Sequence, residues 1–302
     1  MALQHLLSTR DLSVKDINSL LDDASSVLTP DGLHPMQSHE LRGKRLVLAF
    51  FEASTRTRLS FETAADRLGG TSIFFQGSGS SVEKGETMRE TIFTIQSMGF
   101  DAIILRHAQN GIHCEIASYS TMSVINAGEG SAQHPTQALL DASTIREYSG
   151  EVSGKRVAIV GDLRHSRVAR STTDVLKRLG ANVAYCAPDA LAPNDEMFST
   201  MQRFSSMDEL LPWADVVYLL RIQRERLSDE IILDPDDYRR RYSFTMERAR
   251  EYPNVAVMHP GPVNVGVEID EPVLDLPQCL IHRQVTHGVA VRMAVLRKLL
   301  ST

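Results

Sequence analysis

The residues Ser54-Thr55-Arg56-Thr57-Arg58 put hydroxyls and guanidinium groups directly after an apolar run, Leu46 to Phe51. Phe61, Ala65 and Leu68 then recur at helical spacing, and Gly69-Gly70 follows. The pattern predicts a buried strand, a turn capped by Ser54, and a helix stopped by glycine. Such a first turn offers free amides, the hydroxyls of Ser54, Thr55 and Thr57, and the fork of Arg56. That is the equipment of a phosphate site that needs neither metal nor glycine loop. Serine and threonine at a helix start are ordinarily only caps. Arginine there, however, opposes the helix dipole unless an anion sits nearby.

Further groups stand where strands should end. Arg106 closes the run Asp101 to Leu105, with His107 beside it. His134 opens a helix, and Gln137 lies one turn on, so both side chains can point the same way. With Arg56 and Thr57 they supply donors for a phosphate and for the carbonyl or amide next to it. Ser80 and Lys84 belong to a Ser- and Gly-rich loop. A lone lysine is usually solvated, but a cation on a flexible loop can also close over an anion. Later come Arg167, then Arg221 and Gln223, which share a side if the segment is extended. Two guanidiniums and an amide suit a dicarboxylate, although each arginine alone would suit a surface ion pair. His259-Pro260-Gly261-Pro262 is a stiff turn, either structural or able to hold an NH2 group on its carbonyls.

The elements that must position these groups alternate between strand and helix. A helix with Val14, Ile17, Leu20 and Leu21 on one face comes first, with Ser13 as its cap. Strands follow at Leu46–Phe51, Thr71–Phe75, Asp101–Leu105 and Ser123–Asn126. A helix then begins in the first turn at Pro135 and runs to about Tyr148. A second set has strands at Arg156–Val160, Asn182–Cys186, Val216–Leu219 and Val255–Met258, and a last helix from Val285 to Leu300. The alternation predicts two parallel-sheet α/β domains. The expected division is 1–133, completed by the C-terminal helix 285–302, and 134–284. Ligands of such sheets sit at the carboxyl ends of strands, which points to one cleft between the two.

Composition narrows the class. The chain has 302 residues, a net charge of -6, 42% hydrophobic and 23% charged residues. These are values of a soluble globular protein, and the mild acidity argues against nucleic acid. No run reaches membrane-spanning length, and the N-terminus lacks the pattern of a signal peptide. Cys114, Cys186 and Cys279 lie far apart, so neither a zinc knuckle nor a disulfide framework is indicated, and a reduced cytoplasmic setting is expected. Gly161-Asp162-Leu163-Arg164-His165-Ser166 stands where a dinucleotide fold would carry G-x-G-x-x-G, but the later glycines are missing, which excludes a dehydrogenase.

Ser54 to Arg58 closely resembles the carbamoyl-phosphate signature of the aspartate and ornithine carbamoyltransferase family, and nearly the whole chain follows that family's order of motifs. The resemblance implies carbamoyl transfer from carbamoyl phosphate, with aspartate as acceptor, an early step of de novo pyrimidine synthesis. It implies a phosphate cradle of Ser54, Thr55, Arg56 and Thr57. Arg106, His134 and Gln137 would surround the carbamoyl group, with backbone contacts from Gly261 and Pro262. Arg56, Thr57, Lys84, Arg106 and His134 would carry the catalysis. Lys84, Arg167, Arg221 and Gln223 would hold aspartate. Ser80 and Lys84 match a loop that reaches a neighbouring subunit, which implies a homotrimer, with or without a regulatory chain or a dihydroorotase. No metal or organic cofactor is implied. An ornithine-type relative would carry a cysteine in the turn that here reads His259-Pro260-Gly261-Pro262. A non-catalytic assembly homologue would have lost cradle residues. Val265 stands where many relatives have Arg, and His287 where an Asn is often seen.

Overall fold

The computed structural model describes residues 3–29, 31–32, 34–76, 85–222 and 234–301. It divides into two compact units, Met1–Ser143 with Val285–Thr302, and Thr144–Gln284. The first contains α1 (Val14–Ser26), β1 (Arg45–Phe50), α2 (Thr55–Arg67), β2 (Thr71–Gln76), α3 (Met88–Ser97), β3 (Ala102–His107), α4 (Ile112–Ala117), β4 (Ser123–Glu129) and the start of α5 (Pro135–Ser149). The second continues with β5 (Arg156–Val160), α6 (Arg167–Arg178), β6 (Asn182–Cys186), α7 (Glu196–Ser199), β7 (Arg203–Phe204), α8 (Met207–Leu210), β8 (Val216–Leu219), α9 (Pro235–Tyr242), α10 (Met246–Glu251) and β9 (Ala256–Met258). The last helix, α11 (Ile281–Leu300), joins the first unit from Val285 onward.

The expected junction, between 133 and 134, precedes α5, whereas the packing divides α5 itself. Its first half belongs to the first unit because Ser143 Oγ lies 2.8 Å from His287 Nδ1 on α11. The short elements α4, β7 and α7 to α10 were not expected. None is long enough to show a clear hydrophobic period.

Every strand pair is parallel. The first sheet has the order β2-β1-β3-β4 and the second β7-β6-β5-β8-β9. Parallel neighbours need crossover connections, and these helices cover the faces. In the first unit Val47, Ala49, Ile103, Leu105 and Val124 pack with Ile92 and Ile95 of α3 and Ile112 and Ile116 of α4. Leu46 and Leu48, on the opposite face of β1, are equally buried. In the second unit Ala158, Val160, Val217 and Leu219 pack with Tyr238 and Tyr242 of α9 and Met207 and Leu210 of α8. β2, an edge strand, departs most from this burial, and Ile73 and Phe74 remain 42% and 36% exposed.

Both sheets reverse direction once. After β1 the chain adds β2 on one side, then returns to add β3 and β4 on the other. After β5 it adds β6 and β7 on one side, then β8 and β9 on the other. At β1/β3 and at β5/β8, adjacent loops therefore run away from each other and leave a crevice at the carboxyl ends.

The amphipathic face of α1 is Ile17, Leu20, Leu21 and Ala24, all buried; Val14, expected on it, is 44% exposed. Ser13 caps the helix as expected. Its hydroxyl accepts from the Asp16 amide at 3.1 Å, and the Asp16 carboxylate accepts from the Ser13 amide at 3.1 Å. The Ser13 hydroxyl and amide, with Lys298, hold the Asp16 carboxyl down to about 2. A lowered folded pKa stabilises above the unfolded value and loses that stabilisation as pH falls through the folded one. Because the Asp16 side chain is 38% exposed, Asp16→Ala should cost only about 1 kcal/mol at pH 7. Urea denaturation should show the gap shrinking to roughly half near pH 3. A gap independent of pH would contradict the charged capping box.

Candidate active site

The first crevice collects most of the expected carbamoyl-phosphate residues. β1 delivers the chain to Ser54 at the N-cap of α2. Contrary to expectation, Ser54 makes no side-chain capping bond there, whereas Ser13, Thr87 and Ser166 each cap their own helices. The leading amides of α2 are thus not closed off by their cap, and the Ser54 hydroxyl is not spent on them. The two arginines of this turn differ. Arg58 stacks over Phe74, 4.3 Å from the ring centroid, and pairs with Glu62 at 3.5 Å. Arg56 is exposed and, among the described residues, makes no ion pair. Thr57 is buried, and its carbonyl accepts from Ser60 Oγ at 3.0 Å. A guanidinium left over at the positive end of a helix is an anion receptor.

Across the crevice, Arg106 pairs in register with Phe50, and its carbonyl accepts from the Phe51 amide at 2.9 Å. Its own register with β4 is broken: the pairing shifts between Leu105 and His107, which re-aims the side chain. Nη1 donates to the Ala127 carbonyl at 3.2 Å, and Nε lies 3.8 Å from Glu52 Oε2. The strand ends of β1, β3 and β4 therefore fix this arginine together.

His134 is buried immediately before α5. The turn that presents it is tightly seated. At Gly130, φ is 43°, and a Cβ would come within 2.6 Å of the Ala108 carbonyl. Gln133 Oε1 accepts from the Thr9 amide and hydroxyl, both at 3.3 Å. Gln137 is buried on the next turn, and its Nε2 donates to Asp141 Oδ1 at 3.0 Å. It was expected among the donors; with one Nε2 hydrogen engaged by Asp141, its oxygen is turned the other way and can serve as an acceptor.

In the second unit Arg167 and Arg221 flank the β5/β8 crevice, one at the first residue of α6 and the other just after β8. The loops approach closely because Gly161, at φ 114°, has no Cβ; one would sit 2.8 Å from the Leu220 carbonyl. Glu268 is fully buried and was missed in the sequence. Its carboxylate accepts from the Ile222 amide at 3.0 Å, the Asn264 amide at 2.6 Å and Asn264 Nδ2 at 2.8 Å. Burial raises its pKa, while these amides and Arg221 pull the other way. It ties the Arg221 loop to the turn after β9. In that turn the Gly261 amide donates to His259 Nδ1 at 2.8 Å, and Gly261-Pro262 is cis. The signal available was one acid in the stretch Val263 to Ile269, otherwise rich in valine. Ser80, Lys84 and Gln223 lie outside the described residues.

Two family models match the chain: the aspartate/ornithine carbamoyltransferase carbamoyl-P binding domain over residues 4–147, and the Asp/Orn binding domain over residues 153–299. This chain belongs to the aspartate/ornithine carbamoyltransferase family. The aspartate carbamoyltransferase catalytic subunit of Salinispora arenicola is 45% identical over 302 residues, covering 99% of this chain and 98% of the relative. That of Akkermansia muciniphila is 45% identical over 294 residues, covering 96% and 95%. Among solved structures, aspartate transcarbamoylase from Trypanosoma cruzi in complex with N-(phosphonacetyl)-L-aspartic acid superposes with a TM-score of 0.89 at 32% identity, covering 98% and 96% of the two chains. The catalytic subunit of the M. jannaschii enzyme gives 0.85 at 37%, covering 98% of each. The two parallel-sheet α/β domains are the family's fold.

Inorganic phosphate should bind the wild-type chain in isothermal titration. Arg56→Ala should weaken that binding about tenfold or more, the loss of a charge-assisted hydrogen bond. Arg58→Ala should change it less than about threefold, because Arg58 is already paired. Equal losses would remove the distinction between the two.

Proposed function

We propose that this chain is the catalytic chain of an aspartate carbamoyltransferase, converting carbamoyl phosphate and L-aspartate to N-carbamoyl-L-aspartate and phosphate. The observation that carries the reading is the division of labour between the units. One has an open helix N-terminus with an arginine that makes no ion pair among the described residues, within a matched carbamoyl-P binding domain. The other has Arg167 and Arg221 at its crevice, within a matched Asp/Orn binding domain. Guanidiniums recognise the carboxylates of aspartate; a cationic ornithine side chain would be repelled there. The 259–262 turn also lacks the cysteine expected of the ornithine branch.

Chemically, the deprotonated aspartate amine attacks the carbamoyl carbon. A C–N bond forms, the C–O bond to phosphate breaks, and the departing phosphate takes the amine proton. Charge moves first onto the carbamoyl oxygen, then onto phosphate. Arg106, His134 and Thr57 stabilise the first, and donors fixed beforehand cost no reorganisation when charge develops. Arg56 and the amides of α2, with Ser54 and Thr55, receive the second. Gln137 and the Gly261-Pro262 turn orient the carbamoyl NH2. Arg167, Arg221, Gln223 and Lys84 hold the acceptor. With no side chain needed as general base, much of the acceleration comes from positioning.

The working form is a homotrimer that shares active sites, with Ser80 and Lys84 supplied by a neighbour. The exposed apolar edge strand β2, with Ile73 and Phe74, supports self-association. The setting is cytoplasmic and the pathway pyrimidine synthesis.

Given carbamoyl phosphate, purified protein should form carbamoyl aspartate from aspartate and no citrulline from ornithine. Citrulline would overturn the acceptor assignment, and no product with either would overturn the reading. Lys84→Gln and Arg56→Ala variants, each nearly inactive alone, should regain measurable turnover when dissociated and mixed, since hybrids carry some sites with neither change. Hybrids that stay inactive would count against shared sites.

A further inference from the structure

Gln137 stands on the first turns of α5, and Asp141 lies one turn further along the same face, fully buried. On α11, Arg292 is 3% exposed. Its Nη1 donates to the Gly288 carbonyl at 3.0 Å, and its guanidinium lies over the Phe61 ring, 5.0 Å from the centroid. Gly288 makes room for it, since a Cβ there would sit 2.7 Å from Nη1. Burial lowers the Arg292 pKa to about 9, still charged at neutral pH, with the Asp141 carboxylate as its opposing influence.

Resting on the carbamoyltransferase reading above, we propose that Asp141 is a positioning residue that fixes the polarity of the Gln137 amide and thereby the donor's specificity. An ionised carboxylate only accepts hydrogen bonds. Facing one at 3.0 Å, the Gln137 amide must present Nε2 to it and turn Oε1 the other way. Gln137 thus offers the substrate an acceptor. A carbamoyl group ends in an NH2 donor, which satisfies that acceptor. An acetyl group, identical in shape, ends in a methyl, which leaves it unpaired. Leaving a buried polar group unpaired is the strongest available discrimination between isosteres. Without Asp141 the amide could turn over, and its preference would be lost.

The test compares dissociation constants for carbamoyl phosphate and acetyl phosphate, on the full chain. Asp141→Asn replaces an acceptor-only group by one that can face either end of the Gln137 amide. Asp141→Leu/Arg292→Met removes both charges together, so neither is left buried alone. In each, the ratio of acetyl to carbamoyl dissociation constants should fall about threefold to tenfold, almost wholly through weaker carbamoyl phosphate. Inorganic phosphate binding should be unchanged within about twofold, because the cradle is untouched. In a Gln137→Ala background Asp141→Asn should have no further effect on the ratio. A purely structural role would weaken carbamoyl phosphate, acetyl phosphate and phosphate in parallel, and that result, or an unchanged ratio, would overturn the proposal. A wild-type chain with no preference for carbamoyl over acetyl phosphate would instead overturn the functional reading itself.

Discussion

The arrangement depends on where each parallel sheet reverses its strand order. Parallel strands point all their carboxyl ends the same way, and at β1/β3 and β5/β8 the following loops diverge. Each divergence is the place where such a sheet receives a ligand. Cations collect at both: Arg56 and Arg106 at the first, Arg167 and Arg221 at the second. Two of these positions are unfavourable for an isolated arginine. Arg56 and Arg167 oppose helix dipoles at the starts of α2 and α6, and Arg106 is held in a broken register at a strand end. The unfavourable placement becomes favourable when an anion arrives.

Rigidity around each crevice comes from groups that do not touch substrate. Gly130 and Gly161 give up side chains so that backbone can pass backbone. Glu268 shows the same economy with charge. Its lone pairs are taken up by the Ile222 amide and by both donors of Asn264, and Arg221 lies within its field. A buried carboxylate left without those partners would be costly, so the loop carrying Arg221 and the turn carrying Gly261 must settle together. A surface pair could not impose that coupling.

The sequence disclosed what short-range physics determines. The strand and helix around Ser54, the Ser13 cap and the alternation of strand and helix follow from hydrophobic period and cap chemistry, and each is present, whereas the side-chain cap expected of Ser54 is not. It concealed what depends on distant partners. Arg56 and Arg58 look alike in the chain. Only the fold, by placing Phe74 of β2 under Arg58, shows which one is spent. Asp141 and Glu268 look like ordinary acids until α11 and the β8 loop are set against them. The division of α5 between units was hidden for the same reason, since His287 lies far along the chain from Ser143, which it meets.

Phosphate recognition and carbamoyl recognition therefore ask different things of this unit. Phosphate carries charge in all directions, and an open helix end with an exposed arginine suffices. A carbamoyl group is planar, with a donor on one side and an acceptor on the other, so its site must have a direction. Arg106 and His134 can serve the oxygen from strand and helix ends. The nitrogen needs an acceptor that cannot turn round, and an amide side chain has no direction of its own. A carboxylate does, and it keeps that property in the interior only while a cation is buried with it. This gives a physical reason for an arginine in the middle of α11, where propensity and hydropathy alone would favour an aliphatic residue.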